Sequence, residues 1–301
     1  MMSYFLELTF SGLSRGSIYA LIALGYTMVY GIIQLINFAH GEIYMIGAFV
    51  ALIVSGVLTI YGFSGPAILI LAALLAMVYA GAYGYTLEKI AYRPLRNAPR
   101  LSPLISAIGM SLFLQNYVML AQTADFLPFP ALIPEFDFME PVAHLVGSAE
   151  AVIFAVTLLA MILLTLLIKK TRIGKAMRAT QQDMTMARLS GINVDRVISS
   201  TFIIGSVLAA LGGVLVGSYI GQINATIGFT AGIKAFTAAV LGGIGNIPGA
   251  VLGAFLLGLT EAYAAGYVAS AYEDVFAFAL LVLILILRPA GLLGRAVRQK
   301  V

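Results

Sequence analysis

The chain has no cysteine, which excludes disulfide bridges, thiolate catalysis and cysteine-ligated metals together and leaves the redox compartment open. It has no tryptophan either, so anchoring at a membrane–water interface falls to tyrosines such as Tyr61, Tyr92 and Tyr272. Charge is scarce: Asp, Glu, Lys and Arg make up 10% of 301 residues, against 61% hydrophobic residues, and mean hydropathy is +1.01. Such values lie outside the usual range of soluble domains. The alternating short segments of a membrane barrel are missing, whereas apolar runs of about 20 residues, enough to cross a bilayer as helix, recur from end to end. Hydrocarbon satisfies no free backbone group, so these runs are helices. The fold class is all-α: a polytopic membrane protein of eight or nine transmembrane helices forming one domain over residues 1–301. The opening "MMSYFLELTFSGLSRG" has no basic stretch before its apolar part and no small-residue cleavage pattern, and is expected to be retained.

The formal net charge of +4 matters less than its placement. Fifteen of the 17 Lys and Arg fall in three places: Lys89 to Arg100, Lys169 to Arg196, and Arg288 to Lys300. These segments are expected to face the cytoplasm. Between the first two, "TADFLPFPALIPEFDFMEPVAHLVGSAE" holds Asp125, Glu135, Asp137, Glu140 and Glu150 with no Lys or Arg, as an external loop would. The spans then run near 8–32 inward, 43–60 outward, 66–87 inward, 104–122 outward, 151–168 inward and 200–220 outward, and "VFAFALLVLILILRP" returns inward. The amino terminus is thereby expected outside and the carboxyl terminus in the cytoplasm. Gly and Pro break 230–272 at "LGGIGNIPG", giving either a hairpin that dips in and returns or two short crossings. The basic segments hug the ends of apolar runs without interleaved aromatics, which argues against nucleic acid as a partner and leaves lipid.

A small polar knot, "QLINFAHGEIYM", sits between two apolar stretches with Asn37, His40 and Glu42 inside six positions. The pieces "NFAHGEIYMIGAFV" and "GNIPGAVLGAFLL" each lead from a polar turn into a similar helix start, which suggests an internal repeat with interrupted helices. Interrupted helices in corresponding positions of two halves point to a transport pathway. The candidate pathway residues are Asn37, His40, Gly41 and Glu42 in the first break and Gly242, Gly243, Gly245, Asn246 and Gly249 in the second. Glu42 also fits a plainer role as a cap, since a carboxylate at a helix start accepts free N–H groups. His40 titrates near neutral pH when unperturbed, but a proton relay would need a partner carboxylate in another span.

The basic loop "KKTRIGKAMRATQQDMTMARLSGINVDRV" keeps Ala176, Met177, Met184, Met186, Ala187 and Leu189 apolar and ends its helical pattern at Gly191. A short amphipathic helix with a Gly stop is expected there, either lying on anionic headgroups or docking in a protein groove. Glycines at 213, 217 and 221, and Ala254 with Gly258, recur every fourth residue and make flat faces for close helix approach.

Catalytic motifs are weak. The nearest approach to a phosphate-cradling G-x-x-x-x-G-K-[ST] loop, Gly174 and Lys175, has Ala176 next and Lys169 where the first Gly belongs, so no nucleotide site is expected in this chain. "GGIGNIPG" has Pro248 where a dinucleotide fingerprint needs its last Gly. "GFSG" outlines a serine nucleophile at Ser64, whose base would have to be His40 or His144. Gly, Ser and Pro are ordinary turn formers at such a position.

Three stretches in this order, "GYTMVYGIIQLINFAHGEIYMIGA", "TRIGKAMRATQQDMTMARLSGINVDRV" and "AAVLGGIGNIPGAVLGAFLLGL", resemble the LivH-type permeases of bacterial branched-chain amino acid ABC importers. The resemblance implies a bacterial inner-membrane subunit that forms a pathway with a second permease subunit, is driven by two ATPase subunits, and receives substrate from an external substrate-binding protein. ATP and Mg would bind in the ATPase subunits, with no cofactor in this chain. It further implies that Arg178, Ala179, Asp183, Ala187, Leu189 and Gly191 form the segment seated in a cleft of the ATPase. Related permeases carry urea, short amides or sugars, so the substrate is the least fixed part of the expectation. A passive channel is the remaining alternative, opposed by the docking segment.

Overall fold

A computed structural model describes residues 2–96, 98–99, 101–136 and 147–294. Arg100, Asp137, Glu140, His144, Arg295, Arg298 and Lys300, all used in the sequence reading, lie outside the described residues. Helix α1 (Met2–Ile33) is followed by α2 (His40–Ile60) and α3 (Gly65–Leu87), the last continuing through a π turn over Glu88–Tyr92 and a 3-10 turn over Arg93–Leu95. Then come α4 (Leu101–Ala121), strand β1 (Leu127–Pro128), α5 (Ser148–Lys170), α6 (Arg172–Gln182) and α7 (Met184–Leu189). Helix α8 (Val194–Ile220), strand β2 (Gln222–Ile223), α9 (Ile227–Gly242), α10 (Ile247–Tyr267) and α11 (Glu273–Leu287) complete the order.

Among the described residues, eight helices are long and apolar enough to cross a membrane, and α9 is a ninth, shorter apolar one. Its 16 residues span about 24 Å, less than the roughly 30 Å of a hydrocarbon core. The expected all-α architecture is thus the observed one. The region 230–272 resolves as α9, a tight turn, and the full-length α10. Local chemistry sets the boundaries. Asn193 caps α8 by accepting the N–H of Arg196 at 3.0 Å, and Asn246 caps α10 by accepting that of Gly249 at 3.1 Å. Gly221 ends α8 in the left-handed region at φ +76°.

The core lies between α1, α2 and α8, whose facing residues include Leu21, Ile22, Tyr44, Met45, Ala209 and Ala210. Small residues let these helices touch. The two small-residue stripes face neighbours within the chain: a side chain on Gly217 would lie 2.8 Å from the Phe129 ring, and Ala254 and Gly258 receive α1 at Gly12 and Gly16. Helices α4, α5 and α11 lie outermost, with Leu120, Leu163 and Ile286 exposed on their outer faces.

The loops sort into two ends. At one, Arg96 ion-pairs with both Glu88 and Asp195, joining the end of α3 to the start of α8. Gly31 sits beside Gly245 and Gln181, and the Asn246 amide donates to the Leu293 carbonyl at 2.8 Å. This end gathers the described parts of all three basic segments. At the other end β1 pairs antiparallel with β2 in the register Leu127↔Ile223.

Two expectations change. Tyr92 is no interface anchor: it is 1% exposed and donates its hydroxyl to Asn37, whereas Tyr61 and Tyr272 are exposed as expected. The single amphipathic helix is two helices, because Asp183 turns its carboxylate onto the N–H groups of Thr185 and Met186 at 2.7 and 2.9 Å and so ends α6 and caps α7.

Candidate functional site

Helix α1 ends at Ile33, and Gln34, at φ +53°, reverses the chain. The following residues climb back between the helices, and α2 starts at His40 with its imidazole against Gly25 and Gly205. Gly25 stands eight residues before the end of α1, about 12 Å along its axis. Helix α2 therefore begins inside the bundle, as an interrupted helix should.

The polar knot is buried: Asn37 is 2%, His40 1% and Glu42 0% exposed. Asn37 accepts from Tyr92 at 2.8 Å, and Glu42 accepts from Ser111 of α4 at 2.9 Å through Oε1. Glu42 is thus no N–H cap; the residue at the cap position of α2, Ala39, makes no side-chain cap bond. Its second oxygen, Oε2, has no hydrogen-bond partner, nor do Asn37 Nδ2, His40 Nε2 and Thr27 Oγ1. His40 packs edge-on to Tyr26 with ring centroids 4.8 Å apart.

A second helix start faces the first. After α8 the chain runs back through Gln222–Ile223 and buried Ala225 into α9, whose Gly228 and Gly232 lie against Gly41. Glu42 Oε2 points at Gly228. Only residues without side chains allow this contact, since a Cβ on Gly232 would lie 3.1 Å from Gly41 Cα. Between α4 and α9 a crevice of about 60 Å³ is lined by Tyr26, Phe38, Ser111, Phe229, Gly232 and Ile233, among others.

The second predicted set behaves differently. Gly242, Gly243, Gly245, Asn246 and Gly249 form the tight turn between α9 and α10, with Gly243 and Gly245 at φ +103° and +92°. That turn packs on residues 290–294, and Leu292 and Leu293 donate their N–H groups to the carbonyls of Leu241 and Gly242 at 3.0 Å. The two sets sit at opposite ends of α9 and are not brought together. The helix start that meets the polar knot is instead the one at Ile227, with Ser111 and Tyr92 supplied by other elements; none of these was singled out for the pathway from sequence.

A charged cluster lies elsewhere in the bundle. Arg15 and Lys234, the two basic residues outside the three basic segments, both reach Glu273, at 2.9 and 3.5 Å, and Lys234 also pairs with Glu261 at 3.1 Å and Asp274 at 2.8 Å. The cluster ties α1, α9, α10 and α11 together. A lone Lys in the apolar run "TAGIKAFTAAVL" was the available signal.

In the segment expected to dock, Arg178, Asp183, Leu189 and Gly191 are exposed, Ala179 is half-buried, and Ala187 is buried against the chain itself. Met186 and Leu189, at 61% and 77% exposure, stand out from the basic end of the bundle. The serine-nucleophile outline does not assemble with His40, and His144 lies outside the described residues. Ser64 is an exposed residue before α3, and His40 is buried at the far end of α2, about 30 Å away along a 21-residue helix.

Comparison with known proteins agrees with this architecture. The chain is 51% identical over 305 residues to the high-affinity branched-chain amino acid transport system permease protein LivH of Escherichia coli (strain K12), covering 99% of this chain and 98% of that one. It is 51% identical over 302 residues, with the same shares covered, to the permease protein BraD of Pseudomonas aeruginosa. The LivH of Salmonella typhimurium is 50% identical over 302 residues, again covering 99% and 98%. The family described as "Branched-chain amino acid transport system / permease component" matches residues 8–285, and with its eight apolar crossing-length helices the chain belongs to that family.

Proposed function

We propose that this chain is one of two permease subunits of an ATP-driven importer for leucine, isoleucine and valine in the bacterial cytoplasmic membrane. The observation that carries the reading is identity of about half over essentially the whole length to permeases named for branched-chain amino acids. Two ATPase subunits bind ATP and Mg, an external binding protein delivers substrate, and the basic end faces the cytoplasm. The exposed apolar residues Met186 and Leu189 at that end, beside Arg178 and Asp183, suit a groove in an ATPase subunit.

The pathway we assign runs past the two helix starts at His40 and Ile227, where buried Asn37, His40 and Glu42 have polar atoms without a hydrogen-bond partner. The Gly242–Asn246 turn closes the opposite end of α9, and its contacts with residues 290–294 make it a joint that can transmit movement. Closure of the ATPases would shift α6 and α7, which pack on α1 and α8, and so change access to the knot.

Uptake of radiolabelled leucine, urea and short amides by cells holding this chain with its neighbouring transporter subunits tests the assignment. Saturable leucine uptake, competed by isoleucine and valine, is expected. Uptake of urea or amides in place of leucine would overturn it.

A further inference from the structure

Ser111 gives its hydroxyl proton to Glu42 Oε1 at 2.9 Å and at the same time lines the crevice between α4 and α9. A hydroxyl that donates on one side presents its lone pairs on the other. The second carboxyl oxygen is buried, unpartnered and turned toward Gly228 in the first turn of α9. No ion pair among the described residues includes Glu42, and the nearby cation of α9, Lys234, is held by Glu261, Glu273 and Asp274 instead. A carboxyl group deep in a membrane protein without a cation partner is costly, and such groups mark functional sites. At about 60 Å³ the crevice has room for a few water molecules. That is room for a small polar head. Helix α4, which covers it, is packed through a narrow stripe of buried residues, Pro103, Ala107, Ser111, Leu114 and Val118, while Ile108 and Leu112 beside the crevice are exposed.

We propose that this crevice receives the ammonium group of a permeating α-amino acid, which donates to the oxygens of Ser111 and Tyr26 while Glu42, behind Ser111, supplies the counter-charge. The inference rests on the reading of the chain as an amino acid permease and adds the chemical feature that the permease recognises. Solutes of similar shape without an ammonium group, such as 2-hydroxy acids, gain nothing from the site.

The chain has no cysteine of its own, so a single introduced thiol can be followed by reading the label on this chain. In the assembled transporter in proteoliposomes, Ile108→Cys is labelled with an aminoethyl and with a sulfonatoethyl methanethiosulfonate, each rate being referred to that of a free thiol. The cationic reagent is expected to react about tenfold faster, as one nearby charge of low screening dictates, and the preference should vanish when Glu42→Gln is added. Leucine uptake should fall about tenfold in Ser111→Ala, the scale of one charge-assisted hydrogen bond, and return in Ser111→Thr.

Equal labelling rates with Glu42 intact, or a preference that survives Glu42→Gln, would overturn the inference, as would unchanged uptake in Ser111→Ala. If Glu42→Gln does not assemble, the labelling ratio with Glu42 intact and the Ser111 pair still decide. Absence of leucine uptake by the unaltered transporter is a separate failure, that of the permease reading itself.

Discussion

The hydroxyl of Tyr92 donates to Oδ1 of Asn37 at 2.8 Å, with both side chains buried. One hydrogen bond thus fastens the turn between α1 and α2 to the end of α3. Tyr92→Phe leaves Asn37 with neither amide end bonded, since its Nδ2 has no partner to begin with. A buried polar group left unmade costs about 1–3 kcal/mol. Thermal unfolding of the purified protein in detergent should show the loss as a lowered midpoint, and an unchanged midpoint would mean the bond does not hold the turn.

Glu88 is fully buried and takes Arg93, Arg96 and the Ser199 hydroxyl together. Removing the shared carboxylate takes a buried partner from two arginines at once, leaving Arg96 with Asp195 and Arg93 with the Ser199 hydroxyl, and Glu88→Ala should destabilise by about 3 kcal/mol. Arg93→Ala removes a partner whose side chain is 36% exposed, so about 1 kcal/mol or less is expected. Equal effects of the two substitutions in a denaturation series would contradict the hub role of Glu88.

Gly41 and Gly56 lie on the same helix in opposite circumstances. A Cβ on Gly41 would strike the Gly228 carbonyl, whereas one on Gly56 meets nothing within 4 Å. Gly41→Ala should separate α2 from α9 and abolish uptake. Gly56→Ala should leave uptake intact and stabilise slightly, by up to about 1 kcal/mol, because Ala favours helix. The amount of folded protein by fluorescence-detected gel filtration, with uptake in parallel, checks both.

Asp183 and Leu189 separate local structure from docking. Asp183→Ala removes the cap of α7 and should cost about 1 kcal/mol locally, while Asp183→Asn keeps a capping oxygen and should behave as the parent. Leu189 is 77% exposed, so Leu189→Asp should leave the fold and membrane insertion intact and weaken retention of the ATPase subunits. Co-purification of the ATPases with each variant is the measurement.

The spans, their order and the clustering of basic loops were legible in the sequence, because apolar runs and charge placement are local quantities. The knot at Asn37 to Glu42 was legible for the same reason, as polar residues where hydrocarbon penalises them. What was hidden depends on tertiary contact. Nothing near "IGFTAGIK" announces that Gly228 and Gly232 meet Gly41, since glycine's signal there is the neighbour it admits. Ser111 looks like any small residue on α4 until Glu42 is found against it. Asp183 reads as a polar residue on an amphipathic helix, and only the turn of its carboxylate onto two N–H groups shows that one helix is two. The glycine turn at 242–249 resembles the first break in sequence, and only tertiary contact shows that it packs on residues 290–294 at the other end of α9 from the knot.

The central claim is that this polypeptide is a gated path driven through α6 and α7 by separate ATPases. The direct measurement is ATP-dependent accumulation of radiolabelled leucine in proteoliposomes containing the chain, its second permease subunit and the ATPases, with the binding protein supplied on the substrate side. Accumulation that needs every component and collapses with Leu189→Asp is the predicted result. Accumulation by this chain without the ATPases, or full pumping by the Leu189→Asp transporter, would contradict the account.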